Sequence, residues 1–450
     1  MEDTKNRSRL DRILCLFTDV RAGEGGTALL LMFDVFLVLT SYYIAKVVRE
    51  PLILTGGGAE LKSYSSAGQA ILLVAAVRLY AWLASRLHRR RLIHVVNMFF
   101  SICLVLFYGL AQLHVPIGIV YFLWVGMFSV MVVAQFWSFA NDIYTPEAGK
   151  RLFPLVAFGT SLGAVFGSYI AGRLIPILGV YQLMLVAGGV LLLSLLFTDI
   201  VDKRERRNTA RSVAARREPS IEEALDHSGA FKLVFQHKYL LMIALLILLL
   251  NWVNTTGEYI LSRTVEETAN RLAKDGKIAG FSVEEYIGKF YADFFTVVNL
   301  AGVLIQLFLV SRIFKYLGIR IALFVLPLIA LGGYVLLAFY PVLSFVRWAK
   351  TAENATDYSL NNTVRHALFL PTTREEKYKA KQAIDSFFHR SGDVLSAVFV
   401  FAGVHWLAFD TRRFALVNLG LVTVWLVLAY RIGLENRRLM QKAQAQSGVA

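Results

Sequence analysis

The sequence predicts an all-α membrane protein of twelve transmembrane helices in two six-helix halves. Three observations carry this. The 450 residues are 56% hydrophobic and only 18% charged, with mean hydropathy +0.55, and long apolar stretches recur along the whole chain. Twelve of these stretches approach the ~20 residues that a spanning helix needs. Lys and Arg collect in alternate loops, the bias that sets membrane orientation. The net charge of +15 therefore reads as loop bias. No nucleic-acid partner is expected, and the lipid bilayer is the expected surrounding.

The elements follow in order. The leader, residues 1–26, is too polar and too long for a signal-peptide n-region, and the first apolar run lacks a small-residue cleavage site, so that run is read as an uncleaved first span. Within the leader, Leu10, Ile13, Leu14, Phe17 and Val20 share one helical face, with Arg9, Asp11 and Arg12 off it. That pattern predicts a short helix on the cytoplasmic surface. The first half, 27–200, holds spans 1 to 6 at 27–49, 66–86, 92–113, 117–143, 153–173 and 180–200. A basic connector, 201–237, contains "KRERRNTARSVAARREPSIEEAL". The second half, 238–434, holds spans 7 to 12 at 238–261, 291–311, 319–340, 343–368, 391–409 and 414–434, and a tail runs 435–450.

Arg86, Arg89, Arg90 and Arg91 after span 2, the connector's Lys203 to Arg217, and Arg431 at the end of span 12 with Arg437, Arg438 and Lys442 of the tail fall on one side if both termini are cytoplasmic. A multi-pass protein of a bacterial inner membrane is expected. The opposite loops, such as "HVPIG" and "FYPVL", are short and poor in charge. The exception, Arg263 to Lys289, is long and mixed in sign and is expected to form surface helices outside. Cys15 and Cys103 imply no disulfide framework. Among the eight histidines no metal-ligand spacing stands out, His389 and Asp385 being a weak pair one turn apart. No enzyme, cofactor or metal is expected.

"ASRLHRRRLI" after span 2 echoes "VSRIFKYLGIRI" after span 8, matching Arg86 with Arg312 as candidate gating positions. Six spans, a basic connector and six more suggest the major facilitator architecture, with the substrate path between the halves. A charge inside the bilayer costs on the order of 2.5–3.5 kcal/mol, so such residues usually face a wet interior. They concentrate here in spans 1, 4, 7 and 10, which that architecture places around a central cavity. Tyr42, Lys46 and Arg49 share a face of span 1. Gln135, Ser138 and Asp142 share one in span 4, with Trp137 and Asn141 beside it. Asn251, Asn254 and Glu258 do so in span 7. Lys350, Asn354, Asp357 and Asn361 form a stripe in span 10, extended by Arg347 and Arg365.

The candidate substrate-binding residues are thus Tyr42, Lys46, Arg49, Gln135, Asn141, Asn254, Glu258, Lys350, Asp357 and Asn361. Blander readings stand beside them. Lys46 and Arg49 can snorkel to a headgroup, Glu50 can pair with one of them, and Asp357 can partner Lys350. Asp34, isolated in span 1, reads as a hydrogen-bond partner of a neighbouring helix ahead of a proton acceptor.

"EPLILTGGGAELKSY", Glu50 to Tyr64, lacks the Lys-Ser/Thr ending and strand context of a phosphate-binding loop. Gly56, Gly57 and Gly58 are read as a turn or hinge at the outer mouth of span 1.

Three strings carry a family resemblance. "YYIAKVVREPLILTGGGAEL", Tyr42 to Leu61, "FWSFANDIYTPEAGKRLFPL", Phe136 to Leu155, and "ENATDYSLNNTVRHALFLPTTREEKYKAKQAID", Glu353 to Asp385, lie in order in both halves. They resemble the ATP/ADP translocases, nucleotide transporters that form a distant branch of the major facilitator superfamily. In the last string the matching segment includes a Lys-x-Lys loop. The family's helix 1 lysine appears as Arg49. Its helix 7 glutamate appears as Asn254, with Glu258 one turn later, and its helix 10 lysine as Asp357. Its helix 4 glutamate has no counterpart near Leu123, Trp124 and Val125.

The resemblance implies a monomeric secondary carrier of a small anionic metabolite. Nucleotides or related organic phosphates come first, ATP and ADP among them. Phosphate would be held by Lys46, Arg49, Lys350 and Arg347. Exchange follows if an empty cationic site cannot reorient cheaply. Two other readings stay open. One is a proton-coupled carrier of another organic substrate, with Asp34, Glu258, Asp357 and Asp385 as acceptors. The other is a membrane partner or sensor that uses the 203–217 run to bind acidic lipid or protein.

Overall fold

A computed structural model describes residues 11, 14–15, 18–21, 23–211, 230–278, 280–373 and 376–447. Every regular element among them is helical. Spans 1 and 2 form one helical run, Glu24–Arg86, of 63 residues, broken at Gly58 where φ is 74°. Unbroken, such a run would extend ~95 Å, about three bilayer cores. The break divides it. This corrects the three-glycine loop, because Gly56 and Gly57 stay helical and Gly58 alone makes the turn. The helices Arg89–Gln112, Gly118–Ile143, Pro146–Leu178 and Leu183–Arg211 supply spans 3 to 6. The connector's first residues extend span 6, whereas Arg216 and Arg217 lie outside the described residues.

After a short helix, Ala230–Gln236, span 7 runs Lys238–Lys274 and span 8 starts at Val283. The surface helices expected between Arg263 and Lys289 are therefore corrected. Span 7 simply continues, supported by the i,i+4 pair Arg263–Glu267 at 2.8 Å. It stops at Gly276 (φ 65°), where Lys277 N–H donates back to Leu272 O at 2.9 Å, a Schellman closure. Span 8 passes through a π-helical turn, Ile305–Leu309, into Val310–Tyr316, and Gly318–Phe339 is span 9. Span 10 is Leu343–Thr356, a π turn Asp357–Asn361, and Asn362–Ala367. The Lys-x-Lys segment expected as a loop is helical from Glu376, as π turns leading into span 11, His389–His405. Span 12 is Thr411–Ser447.

Ten described helices are long and apolar enough to cross a membrane. Dividing the first at Gly58 and adding the polar span 10 gives the twelve.

Leu14 and Val20 of the leader pack on Ala28 and Leu152. Asp11, expected off the apolar face, is instead buried. Its carboxylate accepts the N–H of Gly25 at 3.1 Å and of Gly23 at 3.3 Å. The unpaired donors at the start of span 1 pull it in. Leu10, Ile13, Phe17, Arg9 and Arg12 lie outside the described residues.

The chain divides into two compact units. The first falls within Met1–Gly56, Ile71–Ser220 and Ile278–Thr296, and the second within Gly57–Ala70, Ile221–Lys277 and Val297–Ala450. In the first unit, Gly159, Gly163 and Gly167 press span 5 onto span 1. A Cβ on them would lie 2.3, 2.4 and 2.6 Å from the carbonyl oxygens of Met32, Phe36 and Thr40. This is the small-residue ridge by which helices approach closely in lipid. Span 3 packs on span 6. In the second unit, span 7 contacts spans 10, 11 and 12, and span 9 contacts spans 10 and 12.

Candidate functional site: buried ion pairs in spans 1, 7 and 10

The candidate cations of spans 1 and 10 each sit in a polar cluster, one in each unit. In the first unit, Lys46 is only 9% exposed. Its Nζ lies 4.3 Å from the Phe295 ring centre and 5.2 Å from that of Tyr43. Ring faces stabilise an ammonium ion that is shielded from water. Arg49 Nε donates to Glu50 Oε1 at 3.0 Å, and its guanidinium lies 4.6 Å from the Phe122 ring centre. The Tyr42 ring stacks on Phe128, centres 6.0 Å apart. The snorkelling alternative is thereby corrected. The aromatic faces and Glu50 give both cations local partners, so neither has to reach for a headgroup. Glu50 pairs with one of them, as expected, and that one is Arg49.

The span 4 stripe does not join this cluster. Gln135 is buried and donates to Asn97 Oδ1 at 3.3 Å, beside Asp34 and Thr198. Asn141 is exposed, and Asp142 reaches Arg89 at 3.6 Å.

In the second unit Lys350 is 1% exposed. Its Nζ lies 2.7 Å from Asn254 Oδ1, 3.1 Å from Glu353 Oε1 and 3.7 Å from Glu258 Oε1. Asn354 Nδ2 donates to Glu258 Oε1 at 2.8 Å. Gly257 leaves room for the ammonium group. A Cβ there would meet Tyr334 Oη at 2.3 Å and Lys350 Nζ at 3.1 Å.

Asp357 as the partner of Lys350 is corrected. Its Oδ1 accepts from Asn361 Nδ2 at 2.7 Å across the π turn. Glu353 is one turn from Lys350, where Asp357 is two, and so captures the ammonium ion. Sequence reasoning missed Glu353, although the i,i+3 spacing to Lys350 signalled it. It also missed Asp393 of span 11, which accepts from Asn251 at 2.9 Å and Thr255 at 2.8 Å and pairs with Arg390 at 3.2 Å. The weak metal pair fails as well, because Lys381 pairs with Asp385.

The matched arginines are both exposed. Arg86 lies 4.8 Å from the Trp82 ring centre, and Arg312 donates to Phe308 O of its own helix.

Chemically, each cluster offers a cation already engaged by carboxylate. An incoming anion would replace the carboxylate, not fill an empty cationic site. Glu258 and Glu353 outnumber Lys350 in the second cluster, so that cluster can also receive a donor-rich or cationic group.

Recurrent helices long and apolar enough to cross a membrane define a polytopic membrane protein. The family model of the Major Facilitator Superfamily matches residues 25–352, and the chain belongs to that superfamily. It is a multi-pass transporter and not an enzyme. Solved structures agree on the fold. A mutant of the nucleoside transporter NupG superposes with TM-score 0.63 at 13% identity, covering 90% of this chain and 98% of that one. A POT family transporter in complex with a thioalcohol-conjugated peptide gives 0.61 at 14%, over 97% and 99%. A bacterial homologue of the human lysosomal transporter Spinster gives 0.57 at 15%, over 93% and 97%. A search of curated proteins finds no significant match.

Proposed function

We propose that the chain is a secondary carrier of a nucleotide or related organic phosphate, working by alternating access. The observation that carries this is the placement of buried Lys46 and part-buried Arg49 of span 1 against aromatic rings. Cations inside a membrane span are costly even when partnered, and such residues commonly mark a substrate path. The resemblance of the span 1, 4 and 10 strings to ATP/ADP translocases supports the phosphate, and the rings of Tyr42, Tyr43 and Phe295 suit a base. Arg49 offers a planar fork to phosphate oxygens once Glu50 yields it, and Lys46 a point charge. Asn254, Glu258 and Lys350 are proposed as substrate-binding residues within the second unit. With this reading go cytoplasmic termini, an inner-membrane location and a monomeric chain.

Strict exchange loses its rationale. Glu50 neutralises Arg49, and Glu258 and Glu353 neutralise Lys350. The empty carrier then holds no bare charge at these positions to block its return, and net transport is expected. A second reading, a proton-coupled carrier of another organic substrate, is favoured by the excess of carboxylates around Lys350.

Thermal unfolding of the purified chain in detergent tests the choice. The ligand panel is ATP, ADP, other nucleotides, phosphate esters, nucleosides and dicarboxylates, with Arg49→Ala alongside. A rise with a nucleotide that Arg49→Ala abolishes supports the first reading. A flat response to every phosphate, with a rise for another ligand, overturns it.

A further inference from the structure

Where span 2 ends and span 3 begins, the first unit carries an open cleft of about 670 Å³. Leu87, His88, Arg90, Arg91, His94 and Val95 line it. Four of these six are Arg or His, and one carboxylate serves them. Asp199 of span 6 accepts from Arg90 Nε at 2.8 Å and lies 3.4 Å from His94 Nε2. Asp202 and Asp142 are held by Arg89 instead, at 3.1 and 3.6 Å. Arg91 and His88 are exposed, and no ion pair reaches either side chain among the described residues. Two arginines against one carboxylate leave the cleft positive, whatever the charge of the histidines.

The apolar part of the lining leads along the helix. Val95 begins a stripe of span 3 that continues through Met98, Phe99, Ile102 and Leu106, at spacings of three and four, each about half exposed. From Val95 to Leu106 the helix rises ~17 Å, and half of a ~30 Å hydrocarbon core is ~15 Å. The stripe therefore covers the depth of one leaflet and starts at the basic cleft. Span 6 packs on span 3, and its Leu192, Leu196 and Ile200 are exposed as well. A nucleotide suits the cleft poorly, because no Phe, Tyr or Trp lines it for a base to stack on. A phosphate that carries an acyl chain meets both parts, the basic cleft and the apolar stripe.

We propose that this cleft binds the headgroup phosphate of an anionic phospholipid, with one acyl chain laid along the Val95–Leu106 stripe. Arg91 supplies a planar fork to the phosphate oxygens, and His88 and His94 flank it. Arg90, whose Nε is given to Asp199, ties the site to span 6. A zwitterionic lipid brings its own cation into a cleft with excess positive charge and is disfavoured there. The site shares no residue with the clusters of Lys46 and Lys350, and it stands whatever the carrier's substrate.

Native mass spectrometry of the full chain in detergent tests this. The probes are phosphatidylglycerol and phosphatidylcholine with matched acyl chains, and glycerol 3-phosphate as the soluble headgroup. Phosphatidylglycerol should bind the wild type several-fold more tightly than phosphatidylcholine. Arg91→Gln should weaken phosphatidylglycerol about fivefold, the worth of one cation at an anionic lipid surface. Arg312→Gln removes another exposed arginine, outside the cleft, and should leave binding unchanged. Arg91 is exposed, so its variant should keep the melting temperature of the wild type, and the comparison of the two lipids on the wild type needs no variant at all. Equal binding of the two lipids overturns the proposal, as does equal weakening by the two arginine variants. Displacement of the lipid by glycerol 3-phosphate at matched concentration also overturns it, since the ligand is then a soluble phosphate ester.

Discussion

Ala59 donates its backbone N–H to the Glu266 carboxylate at 2.9 Å, joining residues 207 positions apart at the break between spans 1 and 2. Glu266 caps the start of span 2, satisfying a donor that the break at Gly58 leaves without a helical partner. Gly58 must be glycine on two counts. Its φ is 74°, and a Cβ would lie 3.0 and 3.2 Å from the two Glu266 oxygens.

Gly58→Ala should therefore destabilise the chain by about 1–3 kcal/mol from the backbone alone, because φ 74° with ψ −178° is a region that essentially only glycine occupies. Gly56→Ala should be neutral or stabilising by up to about 1 kcal/mol, since Gly56 is helical and a Cβ added there would have nothing within 4 Å. Thermal unfolding of the two variants checks the contrast. Equal effects would refute the single-residue turn.

Which of three adjacent glycines bends was not legible from "TGGGAEL", because the deciding partner, Glu266, belongs to span 7. Other features were legible. Span 10 was placed from its length and apolar residues, and the stripe of Lys350, Asn354 and Asp357 read on it accounts for its absence from the ten helices apolar enough to cross a membrane. The spacing of four among Gly159, Gly163 and Gly167 was there to be read and was overlooked. The Asn251–Asp393 bond was beyond reach, because neither residue's spacing points at the other's helix. Gln135 satisfied the stripe pattern of span 4 and yet faces Asn97. Periodicity fixes which residues share a face, and packing decides where that face looks.

The glycine ridge makes its own prediction. Gly163→Ala puts a methyl 2.4 Å from the Phe36 carbonyl, a backbone atom that cannot rotate away. A loss of about 1–3 kcal/mol is expected from overpacking. Gly189→Ala, helical and with nothing within 4 Å, is the control and should be neutral or slightly stabilising. Detergent melting curves that fail to separate the two would contradict the close contact of spans 1 and 5.

Removing Lys350 should cost more than removing its whole ion pair. Lys350→Ala leaves Glu353, 5% exposed, buried without its ammonium partner, and breaking a buried pair costs about 3–5 kcal/mol. Lys350→Met with Glu353→Leu removes both charges and should recover most of that loss. If the double variant is no more stable than Lys350→Ala, the Glu353 contact is not what stabilises the cluster. Transport should be lost in both variants, because both lack the ammonium group proposed to contact substrate. Recovered stability with lost uptake would separate the packing role of the pair from its binding role.

Arg49→Lys probes the substrate end of the first cluster. The change keeps the charge but loses the planar fork that reaches Glu50 and the flat face that lies 4.6 Å from the Phe122 ring centre. Folding should be nearly preserved, since an ammonium ion can still pair with Glu50. Nucleotide affinity should fall roughly tenfold, about 1.4 kcal/mol, because one point charge replaces two parallel bonds to phosphate. Arg49→Ala should fall further and also lose stability, because Glu50 is 0% exposed and would be left buried beside it. Titration of each variant with ATP, read by the rise in melting temperature, orders the three proteins. Identical affinities for Arg49 and Lys at this position would mean that the guanidinium serves Glu50 alone and that phosphate, if bound, is held elsewhere.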